Sequence, residues 1–430
     1  MSPKRFYIVT FGCQMNVHDS EKISGLLTEE GYSEAESAKD SDLVIFNTCS
    51  IRQKAEQKFF SGLGRIKALK RKRPDLKIAV AGCIAQQMGD RIFRRAPYVD
   101  FVFGPQNIHR VIDLIQRRSS SIANDDNQEI AYTDLPVLRK EKGRAWVSIT
   151  YGCNNFCSYC IVPYTRGMER SRPSGNILKE IRGLSEEGFR EVTLLGQNVN
   201  SYRSDMNFAG LLGEINSISG IERIRFVTSH PRDLSGELIS AISMLDKVCD
   251  HIHLPLQSGS DRILGLMNRG YTFHDYCKQV DSLRKSVPGI SITTDIIAGF
   301  PGEKEDDHMM TINALKNVEF DGIFAFKFSP RQGTKAAAMG PQVDDEMKSK
   351  RLTEILQVQD SITLKLNKKL ENSIQEILVE GPSETDNDMV TGRTRSNKIV
   401  NFKGNDNLKG KVVHVRIVLA RKHSFEGELL

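Results

Sequence analysis

The sequence predicts an α/β protein of several domains: an amino-terminal parallel α/β domain, a central run of six strand–helix units, and a small antiparallel β-barrel at the carboxyl end. Three observations predict this. The 430 residues suit about three domains of roughly 150 residues each. Strand and helix patterns alternate through two long stretches, which implies parallel sheets. After residue 372 the helical pattern stops, and short strand-like runs broken by Gly, Pro and Asn take over. The expected divisions are 1–118, a linker at 119–138, 139–372 and 373–430.

In the first division, strands are expected at Arg5–Phe11, Asp42–Asn47, Lys77–Ala81 and Val99–Phe103. Helices are expected at His18–Glu30, Gln53–Lys72, Ala85–Arg95 and Ile108–Arg117, with Asp19 or Ser20 available to cap the first. Ser119–Glu129 is polar and aperiodic and reads as a linker. The alternation resumes with candidate strands at Ala145–Thr150, Arg190–Leu195, Arg223–Thr228, His251–Leu254, Ile290–Ile297 and Gly322–Phe328. Six such units suit a barrel or part-barrel; a doubly wound sheet fits the same count, and periodicity does not separate the two. Asp344–Glu371 is a long charged helix. The last division offers strands at Ile374–Val379, Met389–Thr394, Lys398–Phe402 and Lys411–Leu419.

Composition bounds the function. Hydrophobic residues make up 39% and charged residues 27%, a globular balance. The net charge of +6 permits an anionic partner without demanding one. No run of about 18 apolar residues is present, so no membrane span is expected. The opening MSPKRFYIVTFG has too short an apolar stretch for a secretory signal. The expected compartment is a reducing cytoplasm, where the eight cysteines stay as thiols or bind metal.

Six of those cysteines form two sets. Cys153, Cys157 and Cys160 follow a candidate strand with C-x3-C-x2-C spacing. Three thiolates so spaced can wrap a loop around a metal cluster. A four-iron cluster normally takes four protein thiolates, and no fourth cysteine is near, so one iron would stay open for chemistry. Zinc is the rival, although structural zinc wants four ligands; buried unligated thiols are the plainer alternative. The second set, Cys13, Cys49 and Cys83, is dispersed in FGC, NTC and AGC, each just after a strand. The carboxyl ends of parallel strands form one rim, so three equivalent rim positions carry cysteine. Spacing alone leaves open whether these are ligands or small apolar strand-end residues. Cys249 and Cys277 read as packing residues.

The surrounding residues resemble the radical S-adenosylmethionine (SAM) superfamily, and within it the methylthiotransferase family. YGCNNFCSYCIVPYTRGMERSR (Tyr151–Arg172), GCQMNVHDSE (Gly12–Glu21), NTCSIR (Asn47–Arg52) and AGCIAQQ (Ala81–Gln87) carry the likeness. LLGQNVNSY, TSHP, LPLQSGSD and DIIAGFPGE continue it in order, and the terminal strands resemble a TRAM domain, an RNA-binding module. The wording QMN-VHDSE and NTCSIR is similar to the branch acting on isopentenyladenosine of tRNA. Branches acting on a ribosomal-protein aspartate or on threonylcarbamoyl-adenosine differ at these places. A non-catalytic iron–sulfur RNA-binding protein is the alternative of another class. One departure is Gln332 in FSPRQGTKA, where the family commonly has Pro.

The resemblance implies a partial (β/α)6 barrel for the central domain and two 4Fe-4S clusters. Cys153, Cys157 and Cys160 would hold the radical-generating cluster, whose open iron binds SAM; Cys13, Cys49 and Cys83 would hold an auxiliary cluster carrying the sulfur to be inserted. A radical suits the task, since the C–H at adenine C2 has no acidity for a base to use. Gln197, Ser229 and Gln257, at successive strand ends, are the expected SAM contacts. Arg166, Arg170 and Arg172 would pair with carboxylate or phosphate or lie on a solvated surface. The implied partners are tRNA carrying isopentenyladenosine and a low-potential electron donor of flavodoxin or ferredoxin type.

Charge distribution adds to the RNA reading. From Met389 to Phe425 there are nine Lys and Arg against one acidic residue, Asp406, a basic footprint. Arg393, Arg395 and Lys398 around a turn are the expected phosphate contacts, and Phe402 is expected in the core. The basic run Arg65–Arg73 reads as a solvated helix face.

Overall fold

The computed structural model describes residues 3–50, 53–117, 119–141, 143–383, 386 and 388–430. Ile51 and Arg52 of the NTCSIR motif lie outside the described residues. The chain divides into two compact units: Met1–Lys140 with Thr150–Asn154 and Ile161–Pro173, and Glu141–Ile149 with Asn155–Cys160 and Ser174–Leu430.

The first unit is built on β1 (Arg5–Thr10), β2 (Ser33–Glu34), β3 (Leu43–Thr48), β4 (Lys77–Gly82), β5 (Phe101–Phe103) and β6 (Ser121–Ala123). They form one parallel sheet in the order β2-β1-β3-β4-β5-β6. The connecting helices are α1 (Gln14–Glu29), α2 (Gln53–Lys72), α3 (Cys83–Met88), α4 (Arg91–Arg95) and α5 (Val111–Gln116). Strand β3 is buried throughout, as a central parallel strand should be. Its side chains alternate between faces: Leu43 and Ile45 pack with Ile23, Leu27 and Leu114, while Val44 and Phe46 pack with Phe59, Leu63 and Ile66.

Two expectations are corrected here. Residues 119–138 are not a bare linker, because Ser121–Ala123 pairs in register with Phe101–Phe103 and completes the sheet. The single helix expected over Ala85–Arg95 is two, broken at Gly89, whose φ is +50°.

The second unit opens with β7 (Arg144–Ser148). The chain then returns to the first unit for a two-residue ladder, β8 (Thr150–Tyr151) against β9 (Arg170–Ser171), and for the short helix α6 (Val162–Arg166). The second unit continues with β10 (Glu191–Leu195), β11 (Arg223–Phe226), β12 (His251–His253), β13 (Ser291–Ala298) and β14 (Gly322–Lys327). The six strands pair as two parallel ladders, β7-β10-β11 and β12-β13-β14. A parallel bridge, Ile224↔Val248, links the β11 side to the segment entering β12. Parallel strands following one another in chain order make a part-barrel; a doubly wound sheet would reverse its order at a switch point. Val147, Val192, Leu194, Ile224, Ile292 and Ile296 face the helices in one continuous core. The helix Asp345–Lys368 adds Ile355 and Ile362 to that core.

The chain ends in a closed barrel of β15 (Ile374–Pro382), β16 (Met389–Thr394), β17 (Ile399–Lys403), β18 (Val412–Ala420) and β19 (Phe425–Leu429), ordered β15-β16-β17-β19-β18. Strand β19 was not expected, and its pairing with β17 is parallel, so the barrel is antiparallel at every other pairing. Phe402 is fully buried with Ile377, Val400 and Phe425, as expected.

Candidate active site

Each dispersed cysteine sits where a strand hands over to a helix or loop. Cys13 caps α1, Cys49 follows β3 and is buried, and Cys83 is the first residue of α3. The sheet brings Cys13 and Cys49 into contact. Gly12 has φ +117°, and a Cβ there would collide with Cys49 Cβ and lie 2.8 Å from its Sγ. Glycine is thus required for the loop to approach that closely.

A buried polar frame holds the rim. Asn16 Nδ2 donates to the Thr48 carbonyl (2.8 Å) and Asn47 Nδ2 donates to the Asn16 carbonyl (2.8 Å) and to Ser20 Oγ (2.9 Å). Thr48 Oγ1 donates to the Ala81 carbonyl (2.5 Å). Three strand ends are thereby tied together through the asparagines of GCQMN and NTC. Beside the thiols lies Arg166, 4% exposed, whose Nη2 donates to Asp19 Oδ2 at 2.8 Å; Asp19 is 2% exposed.

The thiols are electrostatically unequal. A hydrogen bond from Cys49 lowers the Cys13 thiol to about 6, helped by the Arg166 charge and opposed by burial. Burial pushes the Cys83 thiol up, with Arg166 acting against it. Arg166 is therefore the common electrostatic neighbour of Cys13 and Cys83. Among the described residues no group of His, Cys, Asp or Glu converges tightly enough for a single metal ion. A cluster is a different case, because its own iron and sulfur atoms fill the space between thiolates. Soft thiolates on one rim suit an iron–sulfur cluster.

The local set lies within eight residues of one loop, and the chain passes from the first unit to the second between Asn154 and Asn155. In the first unit, Cys153 N–H donates to the Gly167 carbonyl at 3.1 Å. Gly152, at φ +70°, leaves no room for a Cβ against the Met168 backbone. In the second unit, Cys160 N–H donates to the Cys157 carbonyl (2.9 Å), and Ser158 N–H to the Met267 carbonyl (2.9 Å). Ser158 Oγ donates to the Leu266 carbonyl (2.8 Å) and Asn268 Nδ2 to the Phe156 carbonyl (3.1 Å). The same turn supplies Arg269, whose Nη1 donates to Cys157 Sγ at 3.3 Å.

The expected SAM contacts occupy strand ends of the second unit. Gln197 is partly buried two residues beyond β10. Ser229, 4% exposed beyond β11, has a hydroxyl with no hydrogen-bond partner among the described residues. Gln257 takes φ +74°; its N–H donates to the Asp295 carbonyl and its carbonyl accepts from Ile297 N–H. An orphaned buried hydroxyl costs free energy, so Ser229 suits a polar ligand at this rim.

Sequence reasoning missed His230 and Arg269. Burial pushes the His230 imidazole down to about 2, with Arg269 and Arg232 adding to the effect. Its Nδ1 accepts from Arg232 N–H, and its buried Nε2 has no partner among the described residues. The surviving sequence signal for Arg269 is the turn-forming Asn268-Arg269-Gly270 after a helix.

The arginines after the cluster loop are committed within the first unit: Arg166 to Asp19, Arg170 to Asp126 (2.8 Å) and Arg172 to Asp134 (3.3 Å). The solvated-surface alternative does not describe them, since all three side chains are at most 9% exposed.

Arg393, Arg395 and Lys398, the expected phosphate contacts, are each engaged within the second unit. Arg393 pairs with Glu380 (2.9 Å). Arg395 donates to the Asp246 and Val248 carbonyls (2.9 and 2.7 Å) and pairs with Asp250 (3.3 Å). Lys398 pairs with Asp321 (2.8 Å) and donates to Asn367. From below, Arg223 and Arg225 reach the carbonyls of Arg393, Thr394 and Arg395. This turn fastens the small barrel to the amino-terminal ends of the part-barrel strands. Lys403, Lys409, Lys411 and Arg416 are exposed with no ion pair among the described residues, whereas the equally exposed Arg421 and Lys422 pair with Glu426 and Asp360.

Fold and site together define a radical SAM protein. The radical SAM superfamily model matches residues 147–315, a TRAM domain model matches 368–430, and the uncharacterized protein family UPF0004 matches 5–104. Solved structures agree at the level of fold. The radical SAM methyltransferase TsrM from Kitasatospora setae aligns with TM-score 0.58 at 15% identity, over 78% of this chain and 74% of its own. The cobalamin-dependent radical enzyme OxsB aligns with TM-score 0.54 at 13% identity, over 84% and 56%.

Relatives by sequence are more specific. The chain is 53% identical to tRNA-2-methylthio-N(6)-dimethylallyladenosine synthase of Thermodesulfovibrio yellowstonii and 48% to that of Carboxydothermus hydrogenoformans, over all of both chains. It is 50% identical to that of Syntrophus aciditrophicus, over all of this chain and 95% of the relative. The chain belongs to the tRNA-2-methylthio-N(6)-dimethylallyladenosine synthase family. No helix among the described residues is long and apolar enough to cross a membrane.

Proposed function

We propose that this chain is a tRNA methylthiotransferase that inserts a methylthio group at C2 of N6-isopentenyladenosine next to the anticodon, using two SAM per turnover and two 4Fe-4S clusters. Cys153, Cys157 and Cys160 hold the radical-generating cluster; Cys13, Cys49 and Cys83 hold the auxiliary one. The observation that carries the reading is the gathering of Cys13 and Cys49 at one rim, with Arg166 acting on Cys13 and Cys83 alike. A non-catalytic protein has no use for a second thiolate set in the same chain as a SAM-type part-barrel. The clusters and SAM supply sulfur and a carbon radical, which cofactors provide and side chains do not.

The protein's residues bind and orient. Ser229 offers SAM its unpaired hydroxyl, and Gln197 and Gln257 flank it on neighbouring strand ends. Asn16, Asn47 and Thr48 keep the auxiliary thiols in register. Lys403, Lys409, Lys411 and Arg416, rather than the docked turn, contact tRNA phosphates. A flavodoxin- or ferredoxin-type donor supplies electrons, and the work is done in the cytoplasm, where the thiols stay reduced.

Anaerobic reconstitution tests the assignment. The wild-type chain should bind about eight irons, as two four-iron clusters. Cys153→Ala should lose half and Cys13→Ala the other half. Loss of the same iron pool by both substitutions would refute the two-cluster assignment.

A further inference from the structure

We infer that Arg269 is the counter-charge of the radical-generating cluster, a positioning residue that makes its reduction easier; the inference rests on the cluster assignment above. Arg269 is 4% exposed. Its Nη1 donates to Cys157 Sγ (3.3 Å) and Tyr159 Oη (3.5 Å), its Nε to Tyr271 Oη (3.0 Å), and its Nη2 to the Pro255 carbonyl (3.0 Å). Two phenols and a carbonyl are neutral partners. Cys157 is the one of these partners that would carry a negative charge, as the thiolate it becomes when it holds iron.

Other buried arginines are arranged differently. Arg166 has Asp19, Arg225 has Glu191 (2.9 Å), Arg223 has Glu376 (2.7 Å) and Arg351 has Glu303 (2.9 Å). A buried charge is ordinarily paired, and Arg269 is paired only if its partner is the thiolate-bound group. It is also fixed in place. Its N–H donates to the Leu264 carbonyl (3.0 Å), and it stands between Asn268 and Gly270, at φ +58° and +71°. Tyr271 Oη donates onward to the Pro255 and Leu256 carbonyls, both at 3.0 Å.

Hydrogen bonds to cluster sulfurs and net charge set the potential of iron–sulfur centres. Three thiolates make the site negative, and accepting one electron from the external low-potential donor makes it more so. A fixed cation that donates to one of the sulfurs favours that state. Arginine suits the role because it stays protonated, so the bias does not change with pH.

The test is an EPR-monitored redox titration of the reconstituted full-length chain. Arg269→Gln keeps a donor and removes the charge. At a fixed potential its reduced-to-oxidised ratio should fall about tenfold for the Cys153/Cys157/Cys160 cluster, about 59 mV for one electron. Iron content should stay that of the wild type. Arg269→Lys keeps the charge and should titrate close to wild type. A Gln variant with full iron and unchanged midpoint overturns the inference. If Gln loses that cluster's iron, the Lys variant decides: an unchanged midpoint supports the charge role and a Gln-sized drop overturns it. A wild-type chain whose iron is insensitive to Cys153→Ala would instead refute the cluster assignment itself.

Discussion

Two thiol sites in this chain each contain a buried arginine, and the two arginines differ in one respect. Arg166, beside the dispersed cysteines, is neutralised by Asp19 at 2.8 Å. Arg269, beside Cys157, has no carboxylate partner among the described residues and donates to the sulfur itself. The first arginine is part of the frame that gathers three strand ends. The second would bring net charge to the cluster proposed at Cys157. A site assembled by the fold spends its charges on assembly, whereas a site assembled by one short loop is free to present a charge to its ligand.

Breaking the neutral pair should have the largest effect. Asp19→Ala leaves a buried guanidinium uncompensated, a loss of about 3–5 kcal/mol, read by denaturant unfolding of the metal-free chain. Arg269→Met, which leaves no carboxylate stranded, should cost less. Equal losses would show that the two arginines are not in different electrostatic states.

Gly12→Ala comes next. The backbone at φ +117° and the contact with Cys49 predict a cost of about 1–3 kcal/mol from strain. Iron should be lost from the auxiliary site alone, leaving the Cys153 iron pool intact. Loss from both pools would contradict the independence of the two sites.

Ionisation sharpens the comparison within the dispersed set. The Cys13 thiol is lowered from 9.0 to about 6 in the folded metal-free chain. A depressed acid contributes stability that is fully present above its unfolded value and is lost as pH falls through its folded one. The metal-free chain should therefore lose stability between about pH 9 and pH 6, and Cys13→Ser should flatten that slope. Iodoacetamide labelling followed by mass spectrometry should find Cys13 reactive at pH 7 and Cys83, raised by burial, slow.

The smallest effects belong to the terminal barrel. Single Ala substitutions at Lys403, Lys409, Lys411 or Arg416 should weaken tRNA binding and reduce its salt slope by about one each. Arg395→Ala should leave the salt slope unchanged and lower the thermal midpoint, because Arg395 binds Asp250 and two carbonyls.

The sites were unequally legible in the sequence. Both cysteine sets could be read, one from its spacing and one from the strand-end positions of Cys13, Cys49 and Cys83. Helix α1 shows where the reading stops. It buries Asn16, His18, Asp19, Ser20, Glu21 and Lys22, polar residues that a periodicity argument assigns to solvent. Asn16, Asp19 and Ser20 are inside as parts of the hydrogen-bonded frame of the thiol rim, while His18 pairs with Glu21 and Lys22 donates to Tyr151 Oη. Arg393, Arg395 and Lys398 show the converse limit: a charge count does not say which cations face a carboxylate of the same chain. Strand β6 was hidden because Ser121, Ile122 and Ala123 are too few to show an alternation, and its place is set by pairing with β5. Arg269 carried no pattern beyond a turn.

The most direct test is mass spectrometry of tRNA nucleosides from cells lacking this chain and then supplied with variants of it. Isopentenyladenosine without its methylthio group should accumulate in the deletion. Wild type should restore the methylthio nucleoside, and neither Cys49→Ala nor Cys157→Ala should do so. Restoration by either variant, or a deletion strain with unchanged methylthio content, would contradict a two-cluster tRNA methylthiotransferase.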